Sequence, residues 1–535
     1  MGTWRRFGGA DRLFGQTAAA VVMVGLVASS VAYTAAPNAG SKGTKSASAT
    51  AGQPGKSAKV AAPAAAPSAF KSLPVDESQA KRRGDIPRIL RAQAFQPGED
   101  KLFETYYLTY AFPRWTLPEN LSSVANFRAE LRRDLYTGRS GPPYDRLVNL
   151  TLTFMTQLVK DRSFHPAVRY NAMAAIADLN VSLPPPGDTK TPEQPLPAAL
   201  DLMLAVLQDP AQIDAVRIAA LQGLVRHAGL PMADTQKRDQ QVLPLLLQWA
   251  SAKDPPSGRT KVGHAWMRAL AIQALGALGL PGSNGQVVKT LAGVLTESDT
   301  PLIPRLAAAK ALGRIQYKGV TAVKPPDVVI PLVQFLLEAT TAEARRPLVL
   351  AASAAPAQPG MTPIMTPGMT PTPMPSMPEM PGPAKKKGGK APKTPAGMIS
   401  GETPGMPGMY PGMPGMYPSM PGMGPGAAEE ADERAVIFRR RLKTVLDAVQ
   451  QALGRETGPG LKSWVANTPD ASLVALVEKY VNEQIHDLDD QESSADSLKK
   501  KMTEHRKTLK SFLDDPSKAV AEYEALLQAK ASRKK

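Results

Sequence analysis

The chain has 535 residues, a formal net charge of +17 and no cysteine, which excludes disulfides, thiolate zinc sites, iron–sulfur clusters and cysteine nucleophiles. Its 52 prolines and 42 glycines are concentrated in stretches that cannot build a core, so the folded part is smaller than the length suggests. The positive charge is concentrated in residues 1–98 and 351–427, and no recognition helix or base-stacking platform accompanies it. We therefore predict no specific binding of nucleic acid.

The amino-terminal end has the pattern of a membrane anchor. Residues 1–16 are basic, and the charge-free run at 17–36 is just long enough, at about 1.5 Å per residue, to span a hydrocarbon core of about 30 Å. We predict a cytoplasmic segment at 1–16 and a single transmembrane anchor at 17–36 in a bacterial inner membrane, with the bulk of the chain in the periplasm. The alternative is a signal peptide cleaved after Ala32, which would release a periplasmic or secreted protein.

Residues 37–84 are rich in Ala, Pro, Ser and Lys without apolar periodicity, which predicts a disordered linker. Foldable sequence is predicted from Asp85 onward. Two segments, Glu99 to Phe112 and Asn120 to Leu135, carry apolar residues at helical spacing. We interpret them as an amino-terminal helical cap that shields the first of a series of repeats.

One pattern is repeated in the following residues. Placing Arg268 over Arg305 aligns a small residue three, six and eight positions after each arginine. Arg169 and Arg217 begin two earlier copies of the pattern. The small and aliphatic positions share one face of a helix, where they let a neighbouring backbone approach closely. Because each copy follows another apolar segment, the sequence predicts four helix hairpins.

The pattern apolar-Arg-x-x-Ala-x-x-Ala-Leu-Gly-x-Leu resembles HEAT repeats, in particular the bacterial HEAT-like repeats related to those of phycobilisome lyases. The resemblance implies an all-α fold in which stacked hairpins form an α-solenoid over residues 85–350. It implies little about chemistry, because the shared residues are those that pack. We interpret the repeated arginines as structural, bonding to loop carbonyls or to an acidic side chain of a neighbouring repeat.

A fifth repeat is interrupted by a long insertion. Asp327 to Thr340 has the character of a first helix, but residues 351–427 follow it and are rich in Pro, Gly and Met. The partner helix is predicted after them, with Arg439 in the arginine position, and residues 428–466 complete the repeat and its closing turn. Residues 467–535 are predicted to form a helical tail that is either loosely docked or binds a partner.

No catalytic constellation is recognisable in the sequence. The five histidines lie far apart, and HExxH, GxSxG and GxGxxG are absent from the 535 residues. We therefore predict a non-enzymatic scaffold that binds unidentified protein partners on the solenoid surface and needs no cofactor. A lyase-like activity is an alternative that rests on HEAT-family analogy alone.

A methionine series supports a second alternative. Six methionines recur at steps of three and four within a Pro-Gly-rich stretch, namely Met406, Met409, Met413, Met416, Met420 and Met423. Thioether sulfur is a soft ligand that prefers Cu(I), and the stretch resembles Met-rich tracts of copper-handling proteins of the bacterial envelope. Copper sequestration is therefore the first alternative function. A spacer, or an adhesive surface for apolar partners, is the other interpretation.

Overall fold

The computed structural model describes residues 70–232, 234–346 and 427–532. This part of the chain is mostly helical, which confirms the prediction of a helical fold. Its strand structure is one short antiparallel pair, β1 (Asn180–Ser182) and β2 (Gln194–Pro195). The predicted anchor, nearly all of the insertion and all six methionines of the series lie outside the described residues.

Residues 70–84 correct the predicted boundary of the linker. They lie against the helices that follow, and a 3-10 helix covers Glu77–Gly84. Lys71 forms an ion pair of 2.9 Å with Asp161, and Arg83 forms one of 2.6 Å with Asp134. These contacts are polar and distant in sequence, so apolar periodicity could not predict them.

Three helices precede the repeats: α1 (Asp85–Ala92), α2 (Glu99–Tyr106) and α3 (Val124–Gly138). The predicted helix at 99–112 changes after Tyr106 into a π-turn, Tyr107–Ala111, because Pro113 and Pro118 then begin two 3-10 turns. For the same reason α3 begins at Val124, later than predicted. α1 packs on α3, and α3 packs on the second helix of the first pair described below.

Ten helices form five packed pairs. They are α4 (Pro142–Lys160) with α5 (Pro166–Ala177), α6 (Pro197–Gln208) with α7 (Asp214–Ala228), α8 (Leu243–Ser251) with α9 (Lys261–Leu278), α10 (Gln286–Thr296) with α11 (Leu302–Leu312), and α12 (Pro326–Arg345) with α13 (Ala427–Leu453). Four of them begin with proline, whose fixed φ suits the first helical position and whose missing N–H would have no partner there. A helical turn, Thr235–Lys237, and a π-turn, Arg238–Val242, lead into α8.

The second helices of the pairs, α5, α7, α9, α11 and α13, each pack against the next. Small residues make this possible. A Cβ atom added to Gly276 of α9 would lie 2.8 Å from the Cα atom of Ala311 in α11, and one on Gly223 would lie 2.6 Å from the Cβ atom of Ala177. Real Cβ atoms do not approach so closely, so these backbones meet at a distance that only small residues permit.

The connections from one pair to the next lie at the carboxyl ends of the second helices. The β1–β2 hairpin follows α5, and there Arg226 of α7 donates to Glu193 at 2.7 Å while the hydroxyl of Tyr136 donates to the same carboxylate at 2.8 Å. Further along, the amide of Gln316 donates to the carbonyl of Gly279 at 2.9 Å. Polar contacts thus join successive pairs at this edge.

The carboxyl-terminal helices are α14 (Leu461–Val465), α15 (Ala471–Asp489), α16 (Ala495–Asp514) and α17 (Pro516–Ser532). Trp464 stacks on Tyr317, with ring centroids 4.5 Å apart. α15 lies mainly against α13 and α16 mainly against α12, the reverse of the order in the preceding pairs. Four side chains of α16 are buried, whereas α17 buries none. The predicted tail is therefore well packed up to α16.

Substitution of Gly313 tests the close approach of the second helices. A Cβ atom at Gly313 would lie 1.8 Å from the carbonyl oxygen of Gln451, so we expect Gly313→Ala to lower the free energy of unfolding by about 1–3 kcal/mol. The matched control is Gly293→Ala in α10, where nothing lies within 4 Å and alanine should stabilise the helix by about 0.5–1 kcal/mol. Urea unfolding of both variants measures the difference, and equal stabilities would contradict the packing.

Candidate functional site

Three of the aligned arginines make equivalent contacts. Each guanidinium donates to a carbonyl near the end of the first helix of its own pair and to a side chain of the next pair. The bonds run from Arg169 to Val159 and Gln212, from Arg268 to Ala250 and Glu297, and from Arg305 to Leu295 and Glu338. Each arginine therefore fixes the geometry of its own hairpin and links it to its neighbour.

The Arg268–Glu297 contact is the more enclosed of the two ion pairs among these links. Arg268 is 1% exposed, and two of its nitrogens donate to the two oxygens of Glu297 at 2.6 and 2.7 Å. Burial alone would raise the pKa of Glu297, but hydrogen bonds from Arg268 and Thr300 outweigh it and hold the pKa below its usual value. The pair is therefore ionised and has a fixed, bidentate geometry.

At Arg217 successive pairs are also linked, but here an arginine of the next pair donates back to a carboxylate of this pair. It donates to the carbonyl of Asp209 at 2.7 Å and to the carboxylate of Asp214 at 3.0 Å, both within its own pair. The next pair then supplies Arg259, which donates to Asp214 through two nitrogens at 2.7 and 2.8 Å. Burial would raise the pKa of Asp214, but these two arginines lower it.

Arg439 does not make the contacts of the other arginines. Its Nη2 atom lies within hydrogen-bond distance of the carbonyls of Asp490, Gln491 and Ser493, in the loop between α15 and α16. In addition, Gly313 meets α13 at Gln451, far from Arg439. The alignment that placed Arg439 in the repeat position is therefore not matched by its packing. Its side chain instead ties the fifth pair to the carboxyl-terminal helices.

The loops inside the first four pairs form a continuous surface, which we call the loop edge. It comprises residues 161–165, 209–213, 252–260 and 297–301. Charged side chains connect the loops in order, with Arg162 3.7 Å from Asp209 and Lys253 3.0 Å from Asp299. The chain reaches this edge at Phe70, whose ring contacts that of His165 at 4.7 Å.

A cleft of about 390 Å³ lies at the end of the loop edge, between residues 298–305 and the last turns of α12. Leucine and alanine side chains line it together with hydroxyl, carboxylate and guanidinium groups. Glu343 is 7% exposed, and its Oε2 atom has no hydrogen-bond partner within the described residues. Arg346 and Arg441 lie 3.5 and 4.0 Å from its carboxylate. The cleft therefore combines apolar contact with hydroxyl and charged groups, while the Oε2 atom of Glu343 is itself buried beside Arg441.

Three histidines of the helix pairs occupy structural positions. The Nδ1 atom of His165 accepts a hydrogen bond from the amide of Ala167 and caps α5, and His264 contacts the carbonyl of Ala252. Burial, with Arg226 nearby, lowers the pKa of His227 to about 4, so this histidine is neutral at pH 7. Across residues 70–232, 234–346 and 427–532, no group of three His, Asp or Glu side chains is arranged to hold a metal ion.

Two predicted features lie outside the described residues, namely the methionine series Met406–Met423 and the membrane anchor at 17–36. Both stay predictions. Among the helices that are described, none has the length and hydropathy needed to cross a bilayer.

Comparison with known proteins gave no relative. A scan against protein-family models, a search of curated proteins and a search of solved structures each returned no match. Function is therefore inferred from the sequence and the geometry of this chain.

The repeated arginines were predictable from the sequence, but the residues that receive their hydrogen bonds were not. Glu297 and Glu338 each follow the corresponding arginine by about one repeat, 29 and 33 residues later. An acidic residue at that distance from each arginine was the sequence signal that could have identified the acceptors. The cleft gave no signal, because its walls come from the start of one helix and the end of another.

Removal of Arg268 tests the linkage between the third and fourth pairs. We expect Arg268→Ala to lower the free energy of unfolding by about 3–5 kcal/mol, because Glu297 and the carbonyl of Ala250 lose their buried donor. The control Lys253→Ala removes the exposed Lys253–Asp299 ion pair and should cost less than about 1 kcal/mol. Chemical denaturation of both variants provides the measurement. A similar small cost for both would mean that the arginine contact is dispensable.

Proposed function

We propose that the chain is a membrane-tethered scaffold in which HEAT-like helix pairs form an α-solenoid and bind a protein partner without catalysing a reaction. The observation that carries this proposal is the ordered packing of the second helices α5, α7, α9, α11 and α13. Each helix contacts the next, and arginines link successive pairs on one edge. An array of this kind presents an extended surface, which suits binding better than it suits a catalytic centre.

The cleft beside α12 is the proposed partner site. It is the place on the loop edge where apolar and polar groups converge, with Leu302, Leu337 and Ala342 close to Glu343. A peptide segment of a partner would place apolar side chains on the leucines and polar groups on the hydroxyl and charged side chains that line the cleft.

The proposed location is the bacterial inner membrane, with residues 17–36 as a single-pass anchor and the array in the periplasm. The support is the charge-free run in the sequence, and cleavage after Ala32 would instead give a periplasmic or secreted protein. Copper binding by the methionine series is the second candidate, supported by the regular spacing of six thioethers. The lyase-like alternative has only the HEAT resemblance in its favour.

The proposal is tested by cross-linking and affinity capture from envelope extract. The full chain is compared with a chain that lacks residues 351–427 and with the variant Ala342→Arg, which places a long side chain in the cleft. We expect the same partner to be captured by the full chain and by the deletion, with or without Cu(I). Capture of that partner should be lost in Ala342→Arg, because the cleft is filled.

The matched control is Gln273→Arg, which adds the same side chain at an exposed position of α9 and should capture the partner normally. Loss of the partner on deletion of 351–427, or capture that requires Cu(I), would contradict the scaffold proposal and favour the methionine series as the functional part. Capture that survives Ala342→Arg would remove the cleft from the proposal.

A further inference from the structure

Four of the exposed large apolar side chains in the described residues lie at or beside the loop edge. Phe70, Val262, Ile303 and Val436 are 50%, 71%, 39% and 52% exposed. A single exposed apolar residue needs no explanation, but an aligned set identifies an interaction surface. Val262, Ile303 and Val436 belong to different helix pairs and Phe70 contacts the first pair, so the set extends along the array.

Val262 and Ile303 lie at the amino ends of second helices, and Phe70 and Val436 lie beside the same edge. Phe70 contacts His165, the residue that caps α5, while Val262 and Ile303 are the second residues of α9 and α11. Val436 lies on α13 before Arg441, which is the residue that approaches Glu343 at the end of α12. Val262, Ile303 and Val436 therefore come from the third, fourth and fifth pairs, and Phe70 packs against the loop of the first.

Several of the charges around these side chains are paired within the chain. Lys71 contacts Asp161, and the loops themselves are joined by the Arg162–Asp209 and Lys253–Asp299 pairs. Pairing lowers the cost of bringing such a surface against a less polar medium. The apolar side chains then supply the attraction, since they lose contact with water.

We propose that the loop edge rests on the surface of a lipid bilayer, with Phe70, Val262, Ile303 and Val436 entering the interfacial layer. This inference rests on the proposed membrane tether and adds an orientation to it. The described chain begins at Phe70, on this edge, and the sequence before it contains the charge-free run at 17–36. A tether at one end raises the local concentration of the edge at the membrane, so contacts that are weak individually are sufficient.

Separate apolar side chains distributed over several repeats suit a bilayer better than a protein groove. A protein partner is normally recognised by a contiguous, well-packed apolar centre. Here Val262 and Ile303 belong to successive pairs and are separated by charged loop residues such as Lys253 and Asp299. A fluid interface accepts each side chain independently, without requiring them to touch.

The absence of cysteine from the 535 residues allows a direct test. The full chain carries one cysteine, introduced as Val262→Cys or Val436→Cys, and is labelled with a fluorophore and reconstituted into phosphatidylcholine vesicles with nitroxide-labelled lipid headgroups. A parallel set of vesicles contains phosphatidylglycerol. We expect both labels to lose emission in each lipid. Quenching that occurs only with phosphatidylglycerol would assign the contact to charge and overturn the apolar mechanism.

The matched control is Val181→Cys, because Val181 is 46% exposed on β1, at the opposite edge of the pairs. Its emission should be unaffected by the nitroxide lipid. Equal quenching at Val181 and Val262, or quenching at neither in a chain that floats with the vesicles, would overturn the inference and leave the tether intact. A chain that fails to float would overturn the tether, and the orientation with it.

A second variant separates contact from mere proximity. Val262→Asp combined with Ile303→Asp should reduce the quenching of a label at Val436→Cys, because two of the four apolar contacts are lost. Val181→Asp should leave that quenching unchanged. If the double substitution has no effect on quenching, the apolar side chains do not hold the edge at the bilayer and the inference fails.

Discussion

The structure depends on the close approach of successive second helices. At Gly223, Gly276 and Gly313 the neighbouring backbone or Cβ atom lies where a larger side chain would have to be. An amphipathic hairpin cannot bury both its faces alone, so its apolar surface is covered only when the next hairpin approaches at this distance. Small residues therefore determine whether the pairs assemble at all, and the large aliphatic residues contribute their burial energy only after that approach is made.

The arginine contacts follow from the same constraint. Once two pairs are close, the carboxyl end of one first helix and the loop of the next pair lie within reach of a single guanidinium, as Arg268 shows with Ala250 and Glu297. The buried guanidinium has five donors and needs several acceptors, and only adjacent pairs in the correct register provide them. The loops are thereby fixed side by side, which creates both the cleft beside α12 and the row of exposed apolar residues.

The sequence predicted the helical pairs well, because helix periodicity and small-residue spacing are local signals. Arg268 and Arg305 were assigned to structural contacts on that basis. Arg439 bonds to loop carbonyls, as predicted for the repeated arginines, but α13 meets Gly313 at Gln451 and not in the aligned register, since bulky residues replace alanine in α13. The local signals also missed the folding of residues 70–84, where ion pairs such as Arg83–Asp134 connect distant segments. Contacts that depend on tertiary placement, including those of Glu343 in the cleft, have no periodic signature in the sequence.

The most direct measurement is the free energy of unfolding of Ala271→Asp against that of Gln273→Asp. Both residues lie on α9, but Ala271 is fully buried and Gln273 is exposed. If the small face of the second helix is where the pairs assemble, the buried carboxylate should cost about 3–5 kcal/mol, and the exposed one no more than about 0.5 kcal/mol. Equal unfolding free energies for the two variants would contradict the account.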